Sequence, residues 1–326
     1  MASADVLRLD CAAAAAAIEG KIREQVLGTL RRRGAVVGLS GGIDSSVVAT
    51  LCARALGQGR VVGLLMPERD SSCDSLRLGR LVADHLGIDV VLEDIAPTLA
   101  AAGCYVRQDE AIRTVFPEYG DGYRCKITLP SILDGNRFNL SELTIEAPSG
   151  ERKTARMPLQ AYLQLVAATN FKQRTRAMLE YYHADRLNYA VAGTPNRLEY
   201  DQGFFVKHGD GAADLKPIAH LYKTQVYALA AFLGVPEEIR RRPPTTDTFS
   251  MPQSQEEFYF SLPYREMDVC LYGRNHGMAA AEIASLVGLT AEQVERVYRD
   301  IDQKRRTTAY LHLKPLLVEP VPEVGA

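Results

Sequence analysis

The densest chemistry in this 326-residue chain lies in one short run, Ser40-Gly41-Gly42-Ile43-Asp44-Ser45. It follows an apolar stretch, Val36-Val37-Gly38-Leu39, that reads as a buried strand, and residues 44–56 read as the helix that comes next. Paired glycines at that junction let backbone N–H groups approach a ligand closely. The helix start adds unpaired N–H donors at the positive end of its dipole. Such a turn cradles phosphate. The Gly-Lys-Ser/Thr ending of a Walker loop is missing. Asp44 stands at the helix start instead, where an anion can hold a magnesium ion against phosphates. A glycine turn with an aspartate cap is the plainer reading, but the order strand, SGGxDS, helix favours the phosphate site.

The surrounding chain must supply a frame for that turn. Residues 60–66 read as a second strand, 73–86 as a helix, 88–93 as a third strand and 97–102 as the start of another helix. Alternation at this spacing predicts an α/β fold with a doubly wound parallel sheet and ligands at the strand C-terminal ends. Residues 4–33 read as a helix whose basic end, Arg31-Arg32-Arg33, is stopped by Gly34. From about 116 to 158 the alternation breaks. Residues 138–146 and 151–156 flank Pro148-Ser149-Gly150, which predicts a β-hairpin within an insertion at about 117–158. A long helix over 159–183, a strand at 189–192 and an amphipathic helix at 223–233 return to the frame. The C-terminal part, about 255–310, reads as helical, with Thr290 and Gln293 spaced for a capping box. Residues 281–294 lack a basic recognition face, so they read as two packed helices and not as a DNA-binding motif. A single domain over residues 1–326 is the expectation.

Composition narrows the class. A net charge of −2 gives no general attraction to nucleic acid or to an anionic membrane. The six cysteines are scattered without a CxxC pair, which fits reduced thiols in a cytoplasmic protein better than zinc ligands or disulfides. The alanine run at 12–17 lacks a basic leader and is flanked by Asp10 and Glu19, so it reads as helix and not as a signal peptide. No segment is long and apolar enough to be expected to span a bilayer.

The SGGxDS run resembles the PP-loop of the ATP pyrophosphatases, whose fold is adenine nucleotide alpha hydrolase-like. These enzymes cleave ATP between the α and β phosphates and leave AMP on a substrate oxygen. Further blocks resemble those of NAD synthetases: residues 170–176 (NFKQRTR), 192–199 (AGTPNRLE), 203–217 (GFFVKHGDGAADLKP), 221–225 (LYKTQ), 244–247 (PTTD) and 304–306 (KRR). They stand in the family's order. The resemblance implies adenylation of the pyridine carboxylate of deamido-NAD (nicotinic acid adenine dinucleotide), followed by displacement of AMP by ammonia to give NAD.

By position the resemblance implies that Gly38, Leu39, Ser40, Gly41, Gly42, Ile43, Asp44 and Ser45 bind ATP, together with Thr194, Lys223 and Thr245. Asp44, Lys223 and Thr245 are the implied catalytic set, and Asp44 and Glu199 the implied Mg2+ ligands. Arg174, Lys207, Asp214 and Lys304 are the implied deamido-NAD contacts. Glu199 also reads as a solvated loop carboxylate, and Lys223 as an exposed lysine at a helix start, although a cation there opposes the dipole. Arg176 lies close enough to take the role of Arg174. Gln303 departs from a histidine found in many short members, and the insertion is larger than the simplest members carry. It reads as a lid, a docking surface or a harmless hairpin.

The PP-loop lies about forty residues into the chain, so no glutamine-hydrolysing domain is expected before it, and no cysteine shows a nucleophile's setting. Ammonia is therefore the expected nitrogen donor, with a separate glutaminase partner as the other source. The resemblance also implies a homodimer. The rival reading is an amide ligase on the same scaffold that adenylates another carboxylate. A tRNA-modifying PP-loop enzyme would call for a basic surface.

Overall fold

A computed structural model of the protein describes residues 6–129, 132–133, 141–246 and 248–322. Helix α1 (Cys11–Arg23) begins at Asp10, whose side chain accepts the Ala13 N–H. The expected helix over 4–33 is interrupted at residues 8–10, and its residues 4 and 5 lie outside the described residues. α1 passes into a π-helical turn at Glu24–Thr29, and the chain leaves at Leu30 and Arg31, where φ turns positive, not at Gly34. Gly34 is needed for another reason: a Cβ there would meet the Arg60 carbonyl at 2.3 Å.

Strand β1 (Ala35–Gly38), helix α2 (Ile43–Leu56), strand β2 (Val61–Leu65), helix α3 (Cys73–Leu86) and strand β3 (Asp89–Leu92) follow in alternation. Next come α4 (Ala96–Ala101) and α5 (Cys104–Arg113). Strands β4 (Arg124–Thr128), β5 (Glu142–Glu146) and β6 (Arg152–Arg156) form the insertion, and α6 (Leu159–Leu187) leads back to strand β7 (Ala190–Val191). The frame sheet has the order β3-β2-β1-β7, with every pair parallel. Its apolar runs fit a sheet covered on both faces. Val37 packs among α1 and α2 residues such as Ile22, Val48 and Leu51. Val36, Val62 and Leu64 pack on the opposite face against Ile95, Leu99 and Ala184. The doubly wound arrangement is therefore present.

The insertion differs from the expected hairpin. β5 and β6 are that hairpin, and β4 adds a third antiparallel strand beside β5. The expected first arm began at Phe138, Asn139 and Leu140, which lie outside the described residues. β4 buries Cys125 and Ile127 on one face. They join Leu143 and Ile145 of β5 and Ile112, Phe116 and Leu165 in a small core of their own.

The rest is helical: α7 (Arg197–Gln202), α8 (Lys223–Phe232), α9 (Glu237–Arg241), α10 (Tyr264–Asn275), α11 (Ala280–Val287) and α12 (Ala291–Thr308). α12 opens with the expected capping box, Thr290 and Gln293 each accepting the other's backbone N–H. Met267, Leu271, Ile283, Val294 and Ile301 unite the last three helices.

Candidate active site

The turn between β1 and α2 is shaped before any ligand arrives. Ser40 Oγ accepts the Gly42 N–H at 3.2 Å, and the Ser45 and Ser46 hydroxyls donate to the Gly42 carbonyl at 3.1 and 2.7 Å. Gly41 has φ +71°, and a Cβ there would lie 2.7 Å from the Ser75 carbonyl and 2.8 Å from Leu78 Cβ. The turn therefore lies flush on α3 and tolerates no side chain.

Asp44, in the first turn of α2, meets two partners from other elements. Lys223 Nζ, at the start of α8, forms an ion pair with Asp44 Oδ2, and Asn196 Nδ2 donates to Asp44 Oδ1 at 3.2 Å. Asn196 is also the N-cap of α7. Its Oδ1 accepts the Leu198 and Glu199 N–H groups, while Glu199 Oε2 accepts the Asn196 N–H at 3.0 Å. Gln255 donates to the other oxygen, Glu199 Oε1, at 2.9 Å. Asp268 of α10 receives the Lys223 and Thr224 N–H groups at 3.1 and 2.6 Å, fixing the helix start that carries the lysine. One asparagine thus links both carboxylates.

Electrostatics follow from that packing. Burial, then the charge of Asp44, pushes the Glu199 carboxyl up to about 7. Burial pulls the Lys223 ammonium down, but Asp44 and Glu199 outweigh it and hold the lysine protonated above its ordinary range. Burial likewise lifts Asp268 to about 6. Two carboxylates share one buried ammonium, so the cluster lacks positive charge. A hard cation fits that deficit. Among the described residues no third carboxylate, histidine or cysteine converges there, so the remaining ligands of such a cation would be phosphate and water, as magnesium prefers.

This cluster opens into a cavity of about 390 Å³ lined by Ser40, Gly42, Ser45, Thr194, Thr245 and the aromatic walls Phe204, Phe205 and Phe258. A second cavity of about 180 Å³ adjoins it at the ends of β1 and β2, reached past Ser40, Gln173, Thr194 and Thr246. Gly38, Met66, Arg176, Glu180 and Asp210 line it. Burial, then Asp210, pushes Glu180 up to about 8, and burial lifts Asp210 to about 6. A Cβ on Gly38 would sit 2.4 Å from Glu180 Oε1, so the glycine makes room for that carboxyl.

Of the residues expected from sequence, Asp44, Glu199, Lys223, Thr194 and Thr245 come together with the glycine turn. Glu199 and Lys223 are buried and neither solvated nor exposed. Arg174, Lys207, Asp214 and Lys304 do not line either cavity. Arg174 Nε donates to the Lys207 carbonyl at 3.3 Å, and Lys207 Nζ donates to the carbonyls of Tyr310 and Leu313 at 2.8 and 3.2 Å. Asp214 accepts the Val191 N–H at 2.8 Å. Lys304 lies deeper, paired with Asp300 at 2.7 Å and donating to the Tyr259 carbonyl, with burial pulling its pKa down. Arg176, not Arg174, reaches the smaller cavity. Asn196, Gln255, Asp268, Glu180 and Asp210 were not anticipated. Only Asn196 carried a signal, its N-x-x-E spacing to Glu199.

The family model for NAD synthase matches residues 15–116 and 139–308. An NH(3)-dependent NAD(+) synthetase of Mesorhizobium japonicum is 66% identical over 312 residues, covering 96% of this chain and 98% of that protein. Among solved structures, NMN synthetase from Francisella tularensis has a TM-score of 0.63 at 21% identity, covering 96% of this chain and 100% of that one. NH3-dependent NAD synthetase from Campylobacter jejuni has a TM-score of 0.60 at 22% identity, with the same coverage. These two structural likenesses speak to the fold alone.

Proposed function

The chain belongs to the NAD synthase family, and from that premise we propose that it is an ammonia-dependent NAD synthetase. It amidates deamido-NAD in two steps. An oxygen of the pyridine carboxylate attacks the α-phosphorus of ATP, and pyrophosphate leaves. Ammonia then attacks the acyl carbon and loses a proton, and AMP departs with the original carboxylate oxygen. Adenylation is needed because a bare carboxylate oxygen is a poor leaving group.

The observation that carries this reading is the convergence of Asp44, Lys223, Asn196 and Glu199 beside the glycine turn. In this proposal the N–H groups from Gly38 to Ser45 receive ATP phosphates. Lys223, already protonated, neutralises charge as pyrophosphate forms. Thr194 and Thr245 line the cavity where they can orient the nucleotide. Asp44 and Glu199 would hold Mg2+, which supplies further neutralisation of phosphate charge when bound. In this proposal the aromatic walls of Phe204, Phe205 and Phe258 favour transfer to ammonia over hydrolysis of the adenylate.

Deamido-NAD is assigned to Arg174, Lys207, Asp214 and Lys304, which lie outside the lining of both cavities. Lys207 would exchange the Tyr310 and Leu313 carbonyls for the substrate's phosphates. A homodimer is supported by α6, which exposes Leu159, Leu163, Met178 and Tyr182 along one face at helical spacing. Among the described residues no helix is long and apolar enough to cross a membrane, and we place the enzyme in the cytoplasm. Whether ammonia comes from a separate glutaminase is a matter of partner supply and does not alter this site.

The test supplies purified protein with Mg-ATP, deamido-NAD and either ammonium or glutamine. NAD and AMP forming in equal amounts with ammonium alone is the expected result. AMP formation only with some other carboxylate would transfer the site to the rival amide ligase.

A further inference from the structure

The insertion does not sit apart from the chemistry. The segment from Thr248 to Phe260 supplies Thr248, Phe249, Gln255, Phe258 and Tyr259 to the wall of the large cavity. The family frame holds its two ends. Buried Lys172 of α6 donates to the Thr248 carbonyl at 2.8 Å while pairing with Glu68 and Asp70, and Lys304 donates to the Tyr259 carbonyl. The middle is held by the insertion. Ser250 Oγ accepts the Cys125 N–H at 2.9 Å, Met251 N–H donates to the Cys125 carbonyl at 3.0 Å, and Gln253 Nε2 donates to the Ile127 carbonyl. Leu129 N–H then donates to the Glu257 carbonyl at 2.8 Å, and Lys126 pairs with Glu257. Phe249 is buried in the insertion's own core, with Phe258 packed against it.

β4 lies between the two stretches that carry the family pattern. We propose that β4 is a positioning device for the reaction: it fixes the middle of the 248–260 segment, and through Gln255 it fixes Glu199. Each link is a hydrogen bond or a buried contact, so the path from β4 to the carboxylate is continuous. A wall fixed in advance spares the substrates the cost of ordering it. Apparent affinity falls by the fraction of molecules whose wall is out of place, whereas turnover at saturation is retained. The inference rests on the proposed activity for its kinetic readout only.

The test uses Gln253→Leu and, as the milder change, Ser250→Ala; neither residue lines the cavity. Thr154→Ala, which removes a hydroxyl pair between β5 and β6, is the control. Steady-state kinetics and amide hydrogen exchange are measured on each. In Gln253→Leu, KM for ATP and deamido-NAD should rise about tenfold with kcat within about twofold, and Ser250→Ala should do less. Exchange should quicken at 249–258 but not in α2, and saturating substrates should restore protection. The control should match wild type. Unchanged KM and exchange, or loss of kcat with exchange quickened throughout the molecule, would overturn the proposal. If Gln253→Leu fails to fold, Ser250→Ala decides on the same criteria. Absence of NAD formation by wild type would refute the activity instead, and exchange would still judge the brace.

Discussion

Replacing Glu199 by glutamine should make the metal-free protein more stable at alkaline pH while destroying its activity. The carboxyl has a folded pKa of about 7 against an ordinary 4.5, because burial and Asp44 oppose its charge. Below about pH 4.5 it is protonated in both states and contributes no difference. As pH rises through about 7 the unfolded state ionises first, so the folded state binds more protons and loses stability. Above that range the cost is about 3 kcal/mol, from about 1.4 kcal/mol per pKa unit. Glutamine avoids it but has one oxygen where glutamate accepts from both Asn196 and Gln255. Losing one acceptor costs about 1 kcal/mol, which leaves a net gain of about 2 kcal/mol at pH 8. Urea unfolding of both proteins at pH 5 and pH 8, in chelator, measures the gap. It should be small or reversed at pH 5 and favour the variant at pH 8. Magnesium with a non-hydrolysable ATP analogue should then stabilise wild type more than the variant. A variant less stable than wild type at pH 8, or a gap that ignores pH, would refute the reasoning.

Other consequences follow from the same geometry. Asp44→Asn should abolish AMP release and cost about 3 kcal/mol of stability, since buried Lys223 would lose the carboxylate it pairs with and keep only Glu199; coupled AMP assay and urea melts check both. Gly41→Ala should weaken ATP binding and destabilise by about 2 kcal/mol, from the positive φ and the contacts with Ser75 and Leu78, as calorimetry and denaturation would record. Lys207→Ala should raise KM for deamido-NAD at least several-fold more than KM for ATP; equal effects would remove it from the dinucleotide site.

Much of the frame was legible because its signals are local. Val36 and Val37 before a double glycine, followed by a largely apolar helix, announce β1, the turn and α2 in one stretch. α1 starts later than helix periodicity suggested, because Asp10 caps its beginning and an N-cap outweighs the weak preference of the residues before it. β4 escaped notice because its five residues alternate with Arg and Lys and find their meaning only beside β5 and the 249–257 segment. The site divides in the same way. Asp44, Glu199 and Lys223 announce themselves by residue type and place in a motif. Gln255 and Asp268 act through contacts 56 and 45 residues distant in sequence, and no local pattern marks such partners. Glu180 reads as one charged residue on a long helix, and its environment comes entirely from the fold.

The central claim is that a substrate carboxylate is adenylated in this site. Its most direct test follows deamido-NAD with both carboxylate oxygens isotopically labelled through one turnover with Mg-ATP and ammonium. The account predicts one labelled oxygen in AMP, none in pyrophosphate, and one retained in the amide of NAD. Label in orthophosphate, with ADP as the companion product, would mean activation by phosphorylation and would contradict it.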